Sequence, residues 1–161
     1  MPYVALQSMM DEAFPPGLQV YWRSSFLRGL EDGAIDALVE HFGKVTSPLS
    51  LLLLEQFGGA VARVGRDETA FPHRDAPFNL AIIARWPESG AQEPHSAWAR
   101  GVSAAMEPYL SGGVYVNYLG DEGEQRIRDA YGPTFARLSA LKQKYDPTNV
   151  FRLNQNIRPA A

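Results

Sequence analysis

The sequence predicts an α+β fold in which an antiparallel sheet carries its helices on one face, and three observations lead there. Segments rich in aromatic, β-branched and aliphatic residues alternate with segments whose apolar residues recur every three to four positions. Their order along the chain is strand, helix, strand, strand, helix, strand, followed by one long terminal helix. The length of 161 residues is that of one domain and is enough to bury most of the apolar surface without covalent staples.

Taken in order, residues 18–26 ("LQVYWRSSF") follow the turn signal Pro15-Pro16-Gly17 and read as a strand. Asp32 is placed to cap a helix whose stripe, Ile35, Leu38, Val39 and Phe42, stops at Gly43. Pro48 precedes "LSLLLLEQF", whose continuous leucines suit a buried strand or a short core helix and whose length favours the strand. Residues 78–86 ("FNLAIIARW") are a third strand. Pro94 opens a helix with Trp98, Val102, Ala105, Met106 and Tyr109 on one face. Residues 114–119 alternate weakly and read as a fourth strand. The terminal helix sets Ile127, Tyr131, Leu138, Leu141 and Tyr145 inward, with Gly132-Pro133 breaking it in two. Ahead of all these, residues 1–14 bring in Tyr3, Leu6, Met9 and Met10 abruptly, as though they were the tail of something longer.

Composition narrows the function classes. The net charge of −3 is spread along the chain, which argues against nucleic acid or an anionic membrane as partner. There is no cysteine, so disulfides, thiolate metal sites and a cysteine nucleophile are excluded. Residues 1–11 lack a basic segment followed by an apolar one, and uninterrupted apolar runs such as residues 51–54 are far too short to span a bilayer; a cytoplasmic location is the expectation. The three histidines, His41, His73 and His95, lie far apart without metal-ligand spacing, and no metal site is expected. His41 and His95 read as surface residues. His73, in the compact loop Phe71-Pro72-His73-Arg74, is a candidate for a ligand contact or a domain interface. Gly58-Gly59 lacks the flanking residues of a phosphate loop and reads as a tight turn. Glu55, near a strand end, is either a buried carboxylate that serves as a base or, the simpler reading, an exposed one.

Residues 115–118, Tyr-Val-Asn-Tyr, hold the most chemistry. In a strand Tyr115 and Asn117 share one face and Tyr118 the other, so a phenol stands beside a carboxamide. Such groups either satisfy one another internally or hold a ligand with ring faces and amide-like edges.

The blocks "YVNYLGDEG", "AYG", "RLSALKQKYDPTNVF" and "NQNI", in that order, resemble the closing signature of the berberine-bridge-enzyme-like family of FAD-linked oxidases. "YWRSSFL", "SPLSLLLLEQFGGAVARV", "TAFPHR" and Trp86 after a strand are similar to that family's substrate domain, so the resemblance covers the chain end to end. It implies two parts here, residues 1–111 from a ferredoxin-like substrate domain and residues 112–161 as the berberine-like return segment, with no FAD-binding domain among them. It implies a role in oxidising an alcohol or amine-bearing carbon by hydride transfer to flavin, with FAD held only together with a flavin-binding domain or partner chain. Two other readings are a non-catalytic small-molecule-binding or dimerisation module, and a truncated product without activity of its own. Carried over by motif, Tyr115 is the catalytic candidate, Asn117 and Tyr118 contact the cofactor, and Asn154 and Gln155 lie where the chain rejoins the flavin domain. A phenol that ionises near about pH 10 is a weak base, so Tyr115 needs a cation, for which Arg23 and Arg74 are candidates, or the flavin's own field. Some relatives carry a glutamine or glutamate where Ala81 stands, and that base is missing at this position. The face bearing Tyr115, Tyr118 and Phe151 is expected to be partly uncovered in the chain alone, favouring homo-oligomers.

Overall fold

The computed structural model describes residues 1–9, 11–120 and 122–160. Met10, and Asp121 within the berberine-like block, lie outside the described residues. Three antiparallel strands form the sheet in the order β1-β3-β2: β1 is Leu18–Leu27, β2 Leu51–Gln56 and β3 Phe78–Pro87. The central strand pairs Ser24 with Ala81 and Phe26 with Asn79 on one side, and Leu53 with Ala81 and Glu55 with Asn79 on the other.

Two helices, α2 (Asp32–Phe42) and α3 (Gln92–Met106), cover one sheet face; a short helix α1 (Tyr3–Gln7) precedes β1 and buries none of its residues. Because side chains alternate along a strand, Leu80, Ile82, Ala84 and Trp86 of β3 point to the helices. There they meet Leu38, Trp98, Ala99, Val102 and Met106 in one apolar core. Trp98 Nε1 donates to the His41 carbonyl at 2.9 Å and so ties α3 to α2. The stripe predicted for α2 is only half used. Ala34 and Leu38 are buried, whereas Ile35, Val39 and Phe42 stay exposed, because α2 packs chiefly against α3. Asp32 is the first residue of the helix rather than its cap. The extended Glu31 precedes it, and no side chain caps the end, which leaves the Asp32 carboxylate beside the positive helix terminus.

The order β1-β3-β2 is the ferredoxin-like order without a fourth strand among the described residues. Residues 114–119 do not form that strand; they make a 3₁₀ turn, Val116–Tyr118. The cause lies just upstream. The chain begins to pair beside β1, with a bridge from Leu27 to Leu110 and a bond from Ser111 N to the Phe26 carbonyl at 2.9 Å. Gly112 and Gly113 then take φ of +83° and +74°, which turns the backbone away from β1. A Cβ on Gly113 would stand 2.6 Å from His73 Nδ1, so the ring of His73 occupies the space any larger residue needs.

The terminal helix is broken where Gly132-Pro133 predicts, into α4 (Glu124–Tyr131), a 3₁₀ turn (Gly132–Thr134) and α5 (Phe135–Tyr145). Ile127 packs with Val114, Leu119 and Ala130 in a small second core. The predicted inner face is not continued in α5: Leu141 is exposed and Tyr145 is 74% exposed. Beyond it, the Asp146 carboxylate accepts from Val150 N at 2.8 Å and Phe151 N at 3.1 Å and pairs with Lys142, turning the chain back. The tail runs along α5, with Ser139 Oγ donating to the Arg158 carbonyl at 2.6 Å.

Candidate functional site

The sheet face opposite the helices carries Trp22 and Ser24 from β1, Asn79 and Ala81 from β3, and Glu55 from β2. The 3₁₀ turn Val116–Tyr118 docks onto it and closes the group. That turn corrects the predicted arrangement of Tyr115, Asn117 and Tyr118. In a turn of three residues per rotation, Tyr115 and Tyr118 come to the same side, and their rings meet edge to face with centroids 5.2 Å apart. Asn117 Nδ2 donates to the Tyr115 hydroxyl at 2.8 Å, so the predicted phenol–carboxamide pair forms through the turn instead of along a strand.

Tyr118 stands against Trp22, ring centroids 5.4 Å apart, and its hydroxyl donates to Glu55 Oε1 at 2.9 Å. The other carboxylate oxygen, Oε2, accepts from Asn79 Nδ2 at 2.7 Å. Asn79 is fully buried, and its Oδ1 accepts from Ser24 Oγ at 2.9 Å. Glu55 is therefore half-buried and doubly bonded, not the exposed strand-end residue that its position suggests. Burial first, and then the bond to Glu55 and its negative charge, push the Tyr118 phenol up to about 12. Ala81 is buried beside this group and brings no titratable atom. The carboxylate comes from the neighbouring strand, one register step along.

Around Tyr118 opens a cleft of about 820 Å³ whose walls include Trp22, Arg23, Ser24, Asn117, Tyr118 and Glu122. Arg23 does not reach Tyr115 with a hydrogen bond or ion pair; it pairs with Glu122 at 3.2 Å. Arg74 is likewise engaged elsewhere, on the Phe71 carbonyl at 3.0 Å, the Val61 carbonyl at 3.1 Å and Thr69 Oγ1 at 2.5 Å. His73 bonds through Nε2 to the carbonyls of Ala130 and Asp129 at 2.9 and 3.1 Å and lies 4.9 Å from the Phe26 ring. Burial lowers its pKa below the ordinary histidine value, against the pull of those carbonyls. His73 thus fastens the 71–74 loop to α4.

Asn154 and Gln155 line another opening of about 630 Å³, which shares Leu119 and Gly120 with the first. Gln155 Nε2 donates to the Leu119 carbonyl at 2.6 Å, so the return segment is bonded directly to the end of the tyrosine turn. Asn154 takes a left-handed conformation with φ of +59° and is exposed. Asn156 Oδ1 is buried and has no partner among the described residues. The two amide clusters predicted from sequence are thereby brought to one side of the molecule. Sequence reasoning favours plain exposure for Glu55 and misses Asn79 altogether. The only local signal for Glu55 is a carboxylate directly followed by Gln at the end of a leucine run, and Asn79 reads as one polar residue in a strand.

Residues 114–158 match the family model "Berberine and berberine like". An FAD-linked oxidoreductase of Dictyostelium discoideum is 31% identical over 161 residues, covering 99% of this chain and 35% of its own length. An FAD-linked oxidoreductase of Bacillus subtilis, YvdP, is 40% identical over 104 residues, 65% of this chain and 23% of its own. Berberine bridge enzyme-like 23 of Arabidopsis thaliana is 31% identical over 157 residues, 85% of this chain and 29% of its own. The chain therefore spans about a third or less of the length of these relatives. Among solved structures, a berberine bridge enzyme variant described as a reticuline dehydrogenase superposes with TM-score 0.80 at 25% identity, covering 89% of this chain and 34% of that one. A glycopeptide hexose oxidase in complex with teicoplanin gives TM-score 0.78 at 26% identity, over 89% and 33%.

Proposed function

From its place in the berberine-bridge-enzyme-like family of FAD-linked oxidoreductases, to whose C-terminal part the chain belongs, we propose that it forms the substrate-facing wall of a flavin enzyme. That enzyme oxidises an alcohol or an amine-bearing carbon and acts together with a flavin-binding domain or partner chain. The observation that carries this reading is the hydrogen bond from Tyr118 to Glu55 at the wall of an open cleft.

The residues present suit a planar ring edged with N–H and carbonyl groups. Asn117 and Asn154 offer carboxamides on one side of the molecule, and Asn156 Oδ1 is a buried acceptor without a partner among the described residues. Asn117 and Asn154 would hold such a cofactor, and Gln155, bonded to Leu119, would keep the return segment in place. When bound, FAD supplies the hydride acceptor. The protein's task is to take the substrate's proton.

With its phenol held up to about 12, Tyr118 is protonated at neutral pH and is not a base by itself. Paired with Glu55 it becomes one. As the substrate O–H or N–H proton passes to the Tyr118 oxygen, the phenol's own proton passes to Glu55 Oε1; the electron pair left on the substrate heteroatom forms the new double bond to carbon while the C–H bond at that carbon breaks and its hydride leaves to the acceptor. One proton enters the pair and none is lost. Tyr115, with its hydroxyl accepting from Asn117, contributes the ring wall and sets the turn. The exposed Val150, Phe151 and Leu153 at the return segment suit an apolar interface with the flavin-binding partner.

The test is flavin reduction by substrate, followed by stopped-flow bleaching, in the flavin-loaded enzyme. Tyr118→Phe and Glu55→Gln each lower the rate by about 10²-fold, the scale of a lost acid–base group, and Tyr115→Phe lowers it less. Unchanged rates in both of the first two variants sink the proposal.

A further inference from the structure

We propose that Asn79 is a positioning residue that, with its amide oriented by Ser24, holds the Glu55 carboxylate toward Tyr118 and reserves Oε1 as the oxygen that takes the proton. This rests on the Tyr118–Glu55 reading above and deepens it.

The argument begins with donors and acceptors. An ionised carboxylate only accepts hydrogen bonds, so the end of the Asn79 amide facing Glu55 Oε2 at 2.7 Å is the NH₂ end. The carbonyl end must then face Ser24 Oγ, 2.9 Å away, and the serine hydroxyl must donate. A chain of fixed polarity crosses all three strands: Ser24 donates to Asn79, Asn79 donates to Glu55, and Tyr118 donates to Glu55 from the other side. Ser24 is 2% exposed and Asn79 0%, so the bond between them is buried and an amide turned the wrong way would leave a buried group unsatisfied.

The register explains why Asn79 is the residue that does this. It lies directly opposite Glu55 in the β2–β3 ladder, where facing side chains approach most closely. Nothing in the packing of the sheet calls for a carboxamide there. Its neighbours along the same face, Ala81 and Ile83, are apolar and equally buried.

The consequence concerns where the proton rests. When the pair accepts a proton, Oε2 already accepts from the Asn79 N–H, which draws on its electron density and makes it the poorer proton acceptor of the two oxygens. Oε1 faces Tyr118 and is open to it. Asn79 therefore keeps the proton on the oxygen from which Tyr118 can retrieve it, and prevents the carboxylate from rotating out of reach.

The measurement is made on this chain and needs no cofactor. The ¹³Cζ resonance of Tyr118, in protein labelled at tyrosine and assigned by its loss in Tyr118→Phe, reports the strength of the phenol's bond to a carboxylate. Glu55→Gln defines the value with the charge removed. Asn79→Leu, which keeps the volume and removes the donor, is expected to move the resonance more than half of the way to that value. Ser24→Ala moves it in the same direction by less. A packing role alone would lower the urea midpoint and leave this resonance in place. If Asn79→Leu does not fold, Ser24→Ala decides the question. A Tyr118 resonance unmoved by Ser24→Ala and by any folded Asn79→Leu, but moved by Glu55→Gln, overturns the positioning role and keeps the pair. A resonance unmoved by Glu55→Gln overturns the pair itself.

Discussion

The two faces of β3 are almost equally buried, yet they are built for different ends. Leu80, Ile82, Ala84 and Trp86 meet the helices of this same chain in one apolar core. Asn79 and Ala81 lie on the other face, under a polar chain that ends at the wall of an open cleft. A strand buried on both sides reads as one continuous apolar run, and burial alone would rate the two faces alike. What separates them is whether the covering atoms have anything left to do. The helix side contributes mainly contact area, its Trp98–His41 bond joining helix to helix rather than to the sheet, whereas the other side has hydrogen-bond donors and acceptors arranged in one direction.

The sharpest way to break that comparison is to truncate one residue on each face. Leu80→Ala opens a cavity against Met106 and Val102 and should cost about 3 kcal/mol, within the usual span for a buried leucine. Ile83→Val, on the opposite face, should cost about 1 kcal/mol. Urea midpoints supply both numbers. A loss from Leu80→Ala no larger than that from Ile83→Val would mean that the helix layer does not carry the stability of this fold.

A smaller effect sharpens the comparison at the sheet's rim, where the chain leaves β1. Gly113→Ala must push the His73 ring off its carbonyl partners and hold an alanine at φ of +74°, which together should cost about 2 kcal/mol. Gly112→Ala carries a similar φ of +83° with open space around it and should cost about 1 kcal/mol. Equal melts for the two would show that the backbone conformation, and not the ring of His73, is what reserves glycine at position 113.

These same residues mark how far the sequence can be read. Strand and helix positions are legible because periodicity is local: β1, β2, β3 and α2 fall within a residue or two of the predicted segments, while α3 ends at Met106 and leaves the predicted Tyr109 to a following 3₁₀ turn. The missing fourth strand is not, because residues 114–119 have a strand's composition, and only the positive φ of Gly112 and Gly113, set against a histidine 40 residues earlier, turns them aside. Of the site, the tyrosine turn and the "NQNI" block are legible as motifs. The roles of Glu55 and Asn79 are not, since their meaning comes from partners 63 and 55 residues away, Tyr118 and Ser24. No short window along the chain contains both members of either pair.

The smallest effect separates the two tyrosines of that turn. Tyr118 gives its hydroxyl to a half-buried carboxylate, and bonds to charged groups exceed neutral ones; Tyr118→Phe should cost the isolated chain about 1.5 kcal/mol. The Tyr115 hydroxyl accepts from Asn117, whose side chain is exposed, and water can replace that donor. The ring, by contrast, is held edge-on by Phe57, Phe71 and Tyr118, contacts that phenylalanine keeps. Tyr115→Phe should therefore cost about 0.5 kcal/mol or less. Urea melts of the two variants decide the matter. A loss from Tyr115→Phe that equals or exceeds the loss from Tyr118→Phe would show that Tyr115, rather than the carboxylate-bonded Tyr118, is the phenol on which the turn depends, and would move the centre of the polar face away from Glu55.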